Sequence, residues 1–158
     1  TISGLKAATV YTVKVVPVFI VNGTYATDEN QAGTLQVFTS PNAVTGLKQT
    51  KATAKTATLS WKKVSGANKY YIVNSSRTKI IAKTTKTSVT IKKLKTGSAN
   101  IYYVYAVKEF NKKNAISQGK GLYVFTTPGK PTKLGDYKLG NYIWKPTESN
   151  HCKMADAE

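Results

Sequence analysis

The chain repeats itself, and the repeat is out of step with the chain. Thr34-Leu-Gln-Val-Phe-Thr-Ser-Pro41 recurs as Gly121-Leu-Tyr-Val-Phe-Thr-Thr-Pro128, 87 residues on, and Thr1-Ile-Ser-Gly-Leu-Lys6 recurs as Thr90-Ile-Lys-Lys-Leu-Lys95, 89 residues on. Ser60-Trp61-Lys62 returns as Ile143-Trp144-Lys145. Tyr11-Thr-Val-Lys-Val15 aligns with Tyr102-Tyr-Val-Tyr-Ala106 if two extra residues sit in the turn before Tyr102. A repeat read this way sets the domain plan before any local propensity does. It predicts the closing part of one unit over residues 1–41, a complete unit over 42–128 and the opening of a third over 129–158. The strands of residues 1–41 cannot bury both faces by themselves. They are expected to be completed by further chain, by a partner or by the opening strands of another copy.

Thr, Val, Tyr and Lys dominate the composition, with ten Tyr and a single Met, and β-branched and aromatic side chains suit a pleated, half-buried surface. Within the complete unit, turn signals divide strand-like segments at the spacing of an all-β sandwich. Thr56 to Trp61 places Ala57, Leu59 and Trp61 on one face and Thr56, Thr58 and Ser60 on the other. Ser65-Gly66 turns the chain. Lys69–Asn74, Lys79–Lys83, Ser88–Lys92, Tyr102–Lys108 and Gly121–Thr126 follow, and a segment at Leu47 brings the number to seven. The fold class predicted is all-β, as tandem seven-stranded antiparallel β-sandwiches.

Particular residues narrow this to a family. Pro41 with Leu47, and Pro128 with Leu134, precede an inward Leu59-Ser60-Trp61 strand. Leu5 with Tyr11-x-Val13-x-Val15, and Leu94 with Tyr102-x-Val104-x-Ala106, carry a Leu-to-Tyr pattern, and Phe-Thr-Ser/Thr-Pro closes each unit. The set resembles fibronectin type III repeats. The resemblance implies a sandwich whose corner tyrosine caps backbone groups, with Tyr102 and Tyr103 competing for that role. It also implies a stackable module of adhesion proteins, receptors and bacterial secreted or cell-wall proteins. There is no Arg-Gly-Asp integrin motif. The Lys-rich, Arg-poor, Thr-rich composition is similar to repeats of Gram-positive surface proteins, so an extracellular, cell-surface or secreted setting is expected.

Charge is the strongest functional signal. The chain has 24 Lys plus Arg against 7 Asp plus Glu, a formal net charge of +17. Between Asn42 and Pro128 there are 17 basic residues and one acid, Glu109. Lys48, Lys51, Lys55, Lys62, Lys63, Lys92, Lys93 and Lys95 fall at strand ends and turns and form the candidate basic surface. An anionic cell-wall polymer, an acidic glycan, membrane headgroups or a host protein would feel such a field. Nucleic acid fits less well, because 23 of the 24 basic residues are Lys, a point charge without the planar bidentate recognition of Arg. The competing use of these lysines is solubility and the blocking of edge-to-edge strand pairing. Tyr71, Tyr103, Tyr105 and Tyr123 would suit sugar stacking if exposed; otherwise they cover sandwich faces and joints.

Catalytic equipment is sparse. His151 and Cys152 are the only residues of their kinds, adjacent in a Glu148-to-Lys153 stretch that reads as a loop, where neighbours do not converge on a metal or a nucleophile–base pair. One cysteine allows no internal disulfide. Asp28-Glu29 reads as a solvated acidic tip or a contact for another module's lysines, short of the six or more oxygens calcium takes. No apolar run reaches membrane-spanning length, and the stretch from Thr1 does not read as a signal peptide. The function expected is therefore a non-catalytic extracellular spacer and interaction module, with neighbouring repeats as partners and no cofactor or metal. The alternatives are an adhesin-type binding module and an accessory region of a secreted glycosidase.

Overall fold

The computed structural model describes residues 1–128, 137–139, 142–146 and 152–154. They fall in two compact units, Thr1–Thr127 and Pro128–Glu158.

The first unit opens with a two-stranded ribbon. Strands β1 (Val10–Val15) and β4 (Gly33–Phe38) pair antiparallel, with Val13 opposite Leu35. Pro17, which has no N–H to give a ladder, separates β1 from β2 (Val18–Val21), and β2 pairs with β3 (Thr24–Thr27). Asn22 and Gly23 join them at φ 50° and 78°, as a two-residue type I′ hairpin requires. A 3-10 turn, Glu29–Gln31, leads into β4; the Asp28 carboxylate caps it by accepting the Asn30 N–H.

The rest of the unit is a sandwich. One sheet has the order β5 (Lys48–Ala52), β6 (Ala57–Ser60), β9 (Ser88–Ile91). The other contains β8 (Ile80–Thr84), β7 (Lys69–Val73) and the long β10 (Ala99–Phe110), whose far edge pairs with β12 (Lys120–Phe125) and then β11 (Lys113–Ile116). The seven expected strands are present. The last starts earlier than the sequence suggested, because β11 and β12 act as one strand broken at Ser117. There the Ser117 hydroxyl accepts the Ala106 N–H while its own N–H donates to the Ala106 carbonyl.

Inward side chains of the two sheets form one core: Ala57, Leu59 and Ile91 face Tyr70, Ile72, Val104, Ala106 and Val124. Burial of each large aliphatic contributes about 1.5–3 kcal/mol. Trp61 meets Tyr70 edge-on at 5.2 Å, and the Tyr70 hydroxyl accepts the Val64 N–H at 3.0 Å. The Trp61 Nε1 is buried without an acceptor among the described residues.

The hydrogen bonds carry the sequence repeat, with one correction. In the sandwich the Thr126 hydroxyl donates to the Lys95 carbonyl and accepts the Ser98 N–H; in the ribbon the Thr39 hydroxyl donates to the Lys6 carbonyl and accepts the Thr9 N–H. Thr1 to Asp28 keeps step with Thr90 to Ser117, down to the positive φ of Asn111 and Lys112 opposite those of Asn22 and Gly23. Tyr11 is therefore level with Asn100, not Tyr102, and the two residues of slippage belong to the 3-10 turn at Glu29–Gln31. Tyr11 has the corner bond, its hydroxyl accepting the Lys6 N–H at 2.7 Å. Tyr102, level with Val13, instead packs against the core.

The ribbon itself is solvated. Val15 is 65% exposed whereas Val104, its counterpart in step, is 0% exposed, and Leu35, Phe19, Ile20 and Tyr25 are also exposed. The expectation that other strands complete this pair is not met by the described residues: the ribbon touches the sandwich only end-on. Buried Ala8 lies against Gly66, and the Phe38 ring tilts onto Phe110 at 5.9 Å between centroids.

In the second unit β13 (Tyr137–Leu139), β14 (Tyr142–Pro146) and β15 (Cys152–Met154) form an antiparallel sheet in that order, with Tyr137 opposite Trp144. Cys152 thus begins a strand where a loop was expected. Glu148 and His151 lie outside the described residues.

Candidate functional site

The two outer faces of the sandwich differ in chemistry. Strand alternation turns Thr58, Ser60, Ser88, Thr90, Lys48 and Lys51 outward on the β5–β6–β9 sheet. The cross-strand rows are Lys48/Ser60/Ser88 and Lys51/Thr58/Thr90, and the Thr58 and Thr90 hydroxyls bond to each other at 3.0 Å.

All eight candidate lysines are exposed, and none has an ion-pair partner among the described residues. They do not form a single cluster. Lys55 is held beside the turn after β9 by the Leu94 N–H to Lys55 carbonyl bond, which gathers Lys55, Lys92, Lys93 and Lys95 at one end of the sandwich. Lys62, whose N–H donates to the Thr45 carbonyl, lies with Lys63 and Lys48 toward the other end. Lys51 stands between them on the face. The acidic pair in the ribbon is engaged locally: Asp28 caps the 3-10 turn and Glu29 pairs with Lys14. Both members of that pair are solvent-exposed, so it adds little stability.

The outer face of the other sheet is aromatic. Tyr71 stands directly opposite Tyr105, and Val73 opposite Tyr103. Tyr71, Val73 and Val107 are buried beneath Tyr105 as a small second core outside the sandwich. The Tyr105 ring lies so close over Gly119 that a Cβ there would come within 2.5 Å of its Cζ. The Arg77 guanidinium stacks on Tyr103 at 4.1 Å, and the Lys83 ammonium sits 5.3 Å from the Tyr71 centroid. The adjacent Tyr103 hydroxyl raises the Arg77 pKa above its already high value.

Of the four tyrosines named from the sequence, Tyr71, Tyr103 and Tyr105 come together. Tyr123, 73% exposed, pairs with Ile101 farther along the face. Two hollows meet at Tyr71. One, of about 210 Å³, is lined by Tyr71, Val73, Arg77, Thr78, Ile80, Tyr105 and Ile116. The other is polar, lined by Lys69, Lys83, Lys86, Glu109 and Asn114, with Lys69 paired to Glu109. Sequence reasoning missed Arg77, Ile80, Lys83 and Ile116. Its one available signal was that Lys69–Val73 and Tyr103–Val107 are apolar on both faces.

Among the described residues, no three His, Cys, Asp or Glu side chains lie together as a metal site needs, and no helix is long and apolar enough to cross a membrane. The geometry is that of an antiparallel β-sandwich module, with three strands facing a sheet of four whose last strand is interrupted. Residues 42–118 match the fibronectin type III domain model, and the all-β fold of the sandwich is that of this domain. A two-domain fibronectin type III segment of chicken tenascin superposes with a TM-score of 0.54 at 21% identity, covering 78% of this chain and 68% of that one. The FN3tt domain aligns at 25% identity and a TM-score of 0.49, covering 56% of this chain and 97% of that one. No relative is found among curated proteins.

Proposed function

We propose that residues 42–128 are a non-catalytic spacer and interaction module of a larger extracellular, cell-surface or secreted bacterial protein, and that residues 1–41 are the closing hairpin of a preceding module of the same kind. The end-on joint carries this reading. Ala8 against Gly66 and Phe38 on Phe110 seat the ribbon on one end of the sandwich, and Pro41, where the ribbon segment ends, is buried. A packed joint transmits orientation where a solvated linker does not. The recurrence of the Thr39 and Thr126 bonds supports two copies of one design. Amide relaxation measurements test it: Ala8 and Thr39 should tumble with the sandwich as one body, and independent tumbling of the ribbon would sink the spacer reading.

The exposed lysines, which have no ion-pair partner among the described residues, favour a second reading, an adhesin-type module for an anionic polymer or host protein. Binding of the chain to purified wall polymer at two salt concentrations tests that. Affinity should fall as salt rises, and salt-insensitive or absent binding removes the electrostatic adhesin.

A further inference from the structure

We infer that the hollow between Tyr71, Tyr105, Ile80, Ile116 and Arg77 is a docking site for an acidic protein segment that presents one apolar side chain. This rests on the reading of the sandwich as an interaction module and gives that reading a surface and a partner class.

Three observations converge. Five of the seven residues lining the hollow are aromatic or branched aliphatic, the others being Arg77 and Thr78, and about 210 Å³ is room for one ring or branched side chain, since a cavity of roughly 150 Å³ takes benzene. Its border is cationic. Arg77 closes one side, and beyond Tyr71 the floor continues into Lys83 and Lys86. Among the described residues the one acid on that face, Glu109, is already paired with Lys69, so the cations at the hollow are left for an incoming carboxylate.

The lining also discriminates among occupants. A sugar ring would stack on open tyrosine faces, but Arg77 covers Tyr103, Lys83 approaches Tyr71 and Tyr105 lies on Gly119. A second copy of this chain is disfavoured by its formal charge of +17, with Lys83 on the sheet's edge strand β8 repelling a like-charged strand. An apolar side chain between carboxylates satisfies both halves of the surface. The eight candidate lysines take no part, because they lie on the opposite sheet and at the two ends.

The test uses the whole chain, ¹⁵N-labelled, at low salt, with three probes: a short Asp/Glu peptide with one central Phe, the same peptide with Ala in its place, and polygalacturonate. The Phe peptide should shift the amides of Val73, Ile80 and Ile116 and bind about tenfold more tightly than the Ala peptide, the factor expected for burying one such side chain. Ile116→Ser should abolish that preference while leaving the rest of the spectrum unmoved; Ile116 is 46% exposed, so its loss spares the core. Equal binding of both peptides, or shifts confined to Lys51, Lys92 and their neighbours, overturns the hollow but leaves the polyanion reading standing. Polygalacturonate shifting the same three amides as strongly makes the site a saccharide site and overturns the proposal. Absence of binding by all three probes overturns both.

Discussion

The Thr126 hydroxyl donates to the Lys95 carbonyl at 2.6 Å. The same hydroxyl accepts the Ser98 N–H at 3.1 Å, so one 6% exposed side chain ties the start of β10 to the end of β12. A buried donor and acceptor that lose their partner are expensive. We predict that Thr126→Val destabilises the sandwich by about 1–3 kcal/mol in denaturant unfolding, whereas Thr126→Ser, which keeps the hydroxyl, costs less. Thr39→Val, the matching change in the solvated ribbon, should leave the main transition in place. Equal effects at the two positions would refute the assignment.

Tyr70 has a similar duty inside the core. Its ring meets Trp61 and its hydroxyl accepts the Val64 N–H. Tyr70→Phe should preserve the ring packing and orphan one amide, at a cost of about 1–2 kcal/mol, read as a lower urea midpoint with an unchanged slope. Hydrogen exchange at Val64 should speed up by more than at its neighbours.

Gly66 sits at φ 73°, and a Cβ there would lie 2.5 Å from the Ala8 Cβ and 3.0 Å from the Ala8 carbonyl oxygen. The backbone cannot step aside as a flexible side chain would. Gly66→Ala is expected to push the ribbon off the sandwich end, with added strain of about 1 kcal/mol from the left-handed conformation. Limited proteolysis near Ser40 should then accelerate, while the sandwich core stays protected. Unchanged cleavage would show that the joint does not hold the ribbon.

Burial raises the Tyr102 pKa above the ordinary tyrosine value of 10.0. The neutral phenol is thus favoured more in the fold than in the open chain. Its contribution is intact below the unfolded value and is lost as pH rises through the higher folded value. Denaturant midpoints measured from neutral pH to beyond pH ~10 should fall more steeply for the native chain than for Tyr102→Phe. Lysine deprotonation affects both proteins alike and cancels in the comparison.

Much of this architecture was legible beforehand because it is periodic. Ala57, Leu59 and Ile91 alternate with Thr58 and Thr90, and such alternation dictates which face is inside once a strand exists. Aligning the chain with itself set Thr39 level with Thr126 and Lys6 level with Lys95, as their hydrogen bonds are. It failed at Tyr102, where a matching Tyr-x-Val pattern outweighed register. Backbone pairing, which depends on both strands at once, put Tyr11 level with Asn100. Lys113–Ile116 also escaped, having only two apolar residues and no sharp alternation.

The candidate surface was less legible. All eight lysines chosen from the sequence are exposed, yet Lys55 and Lys95 are drawn to one end and Lys62 to the other by bonds between segments distant in the chain.

By itself the sequence determined the all-β class, most strand positions between residues 42 and 128, and the concentration of positive charge there. Each of these depends on side-chain type and short-range order. Only the tertiary structure decided that Tyr71, Tyr105, Arg77 and Ile116 share one hollow, and that Val15 stays in solvent while Val104 is buried. Those facts follow from which strands become neighbours, and a strand's own residues specify its faces but not what lies across from them.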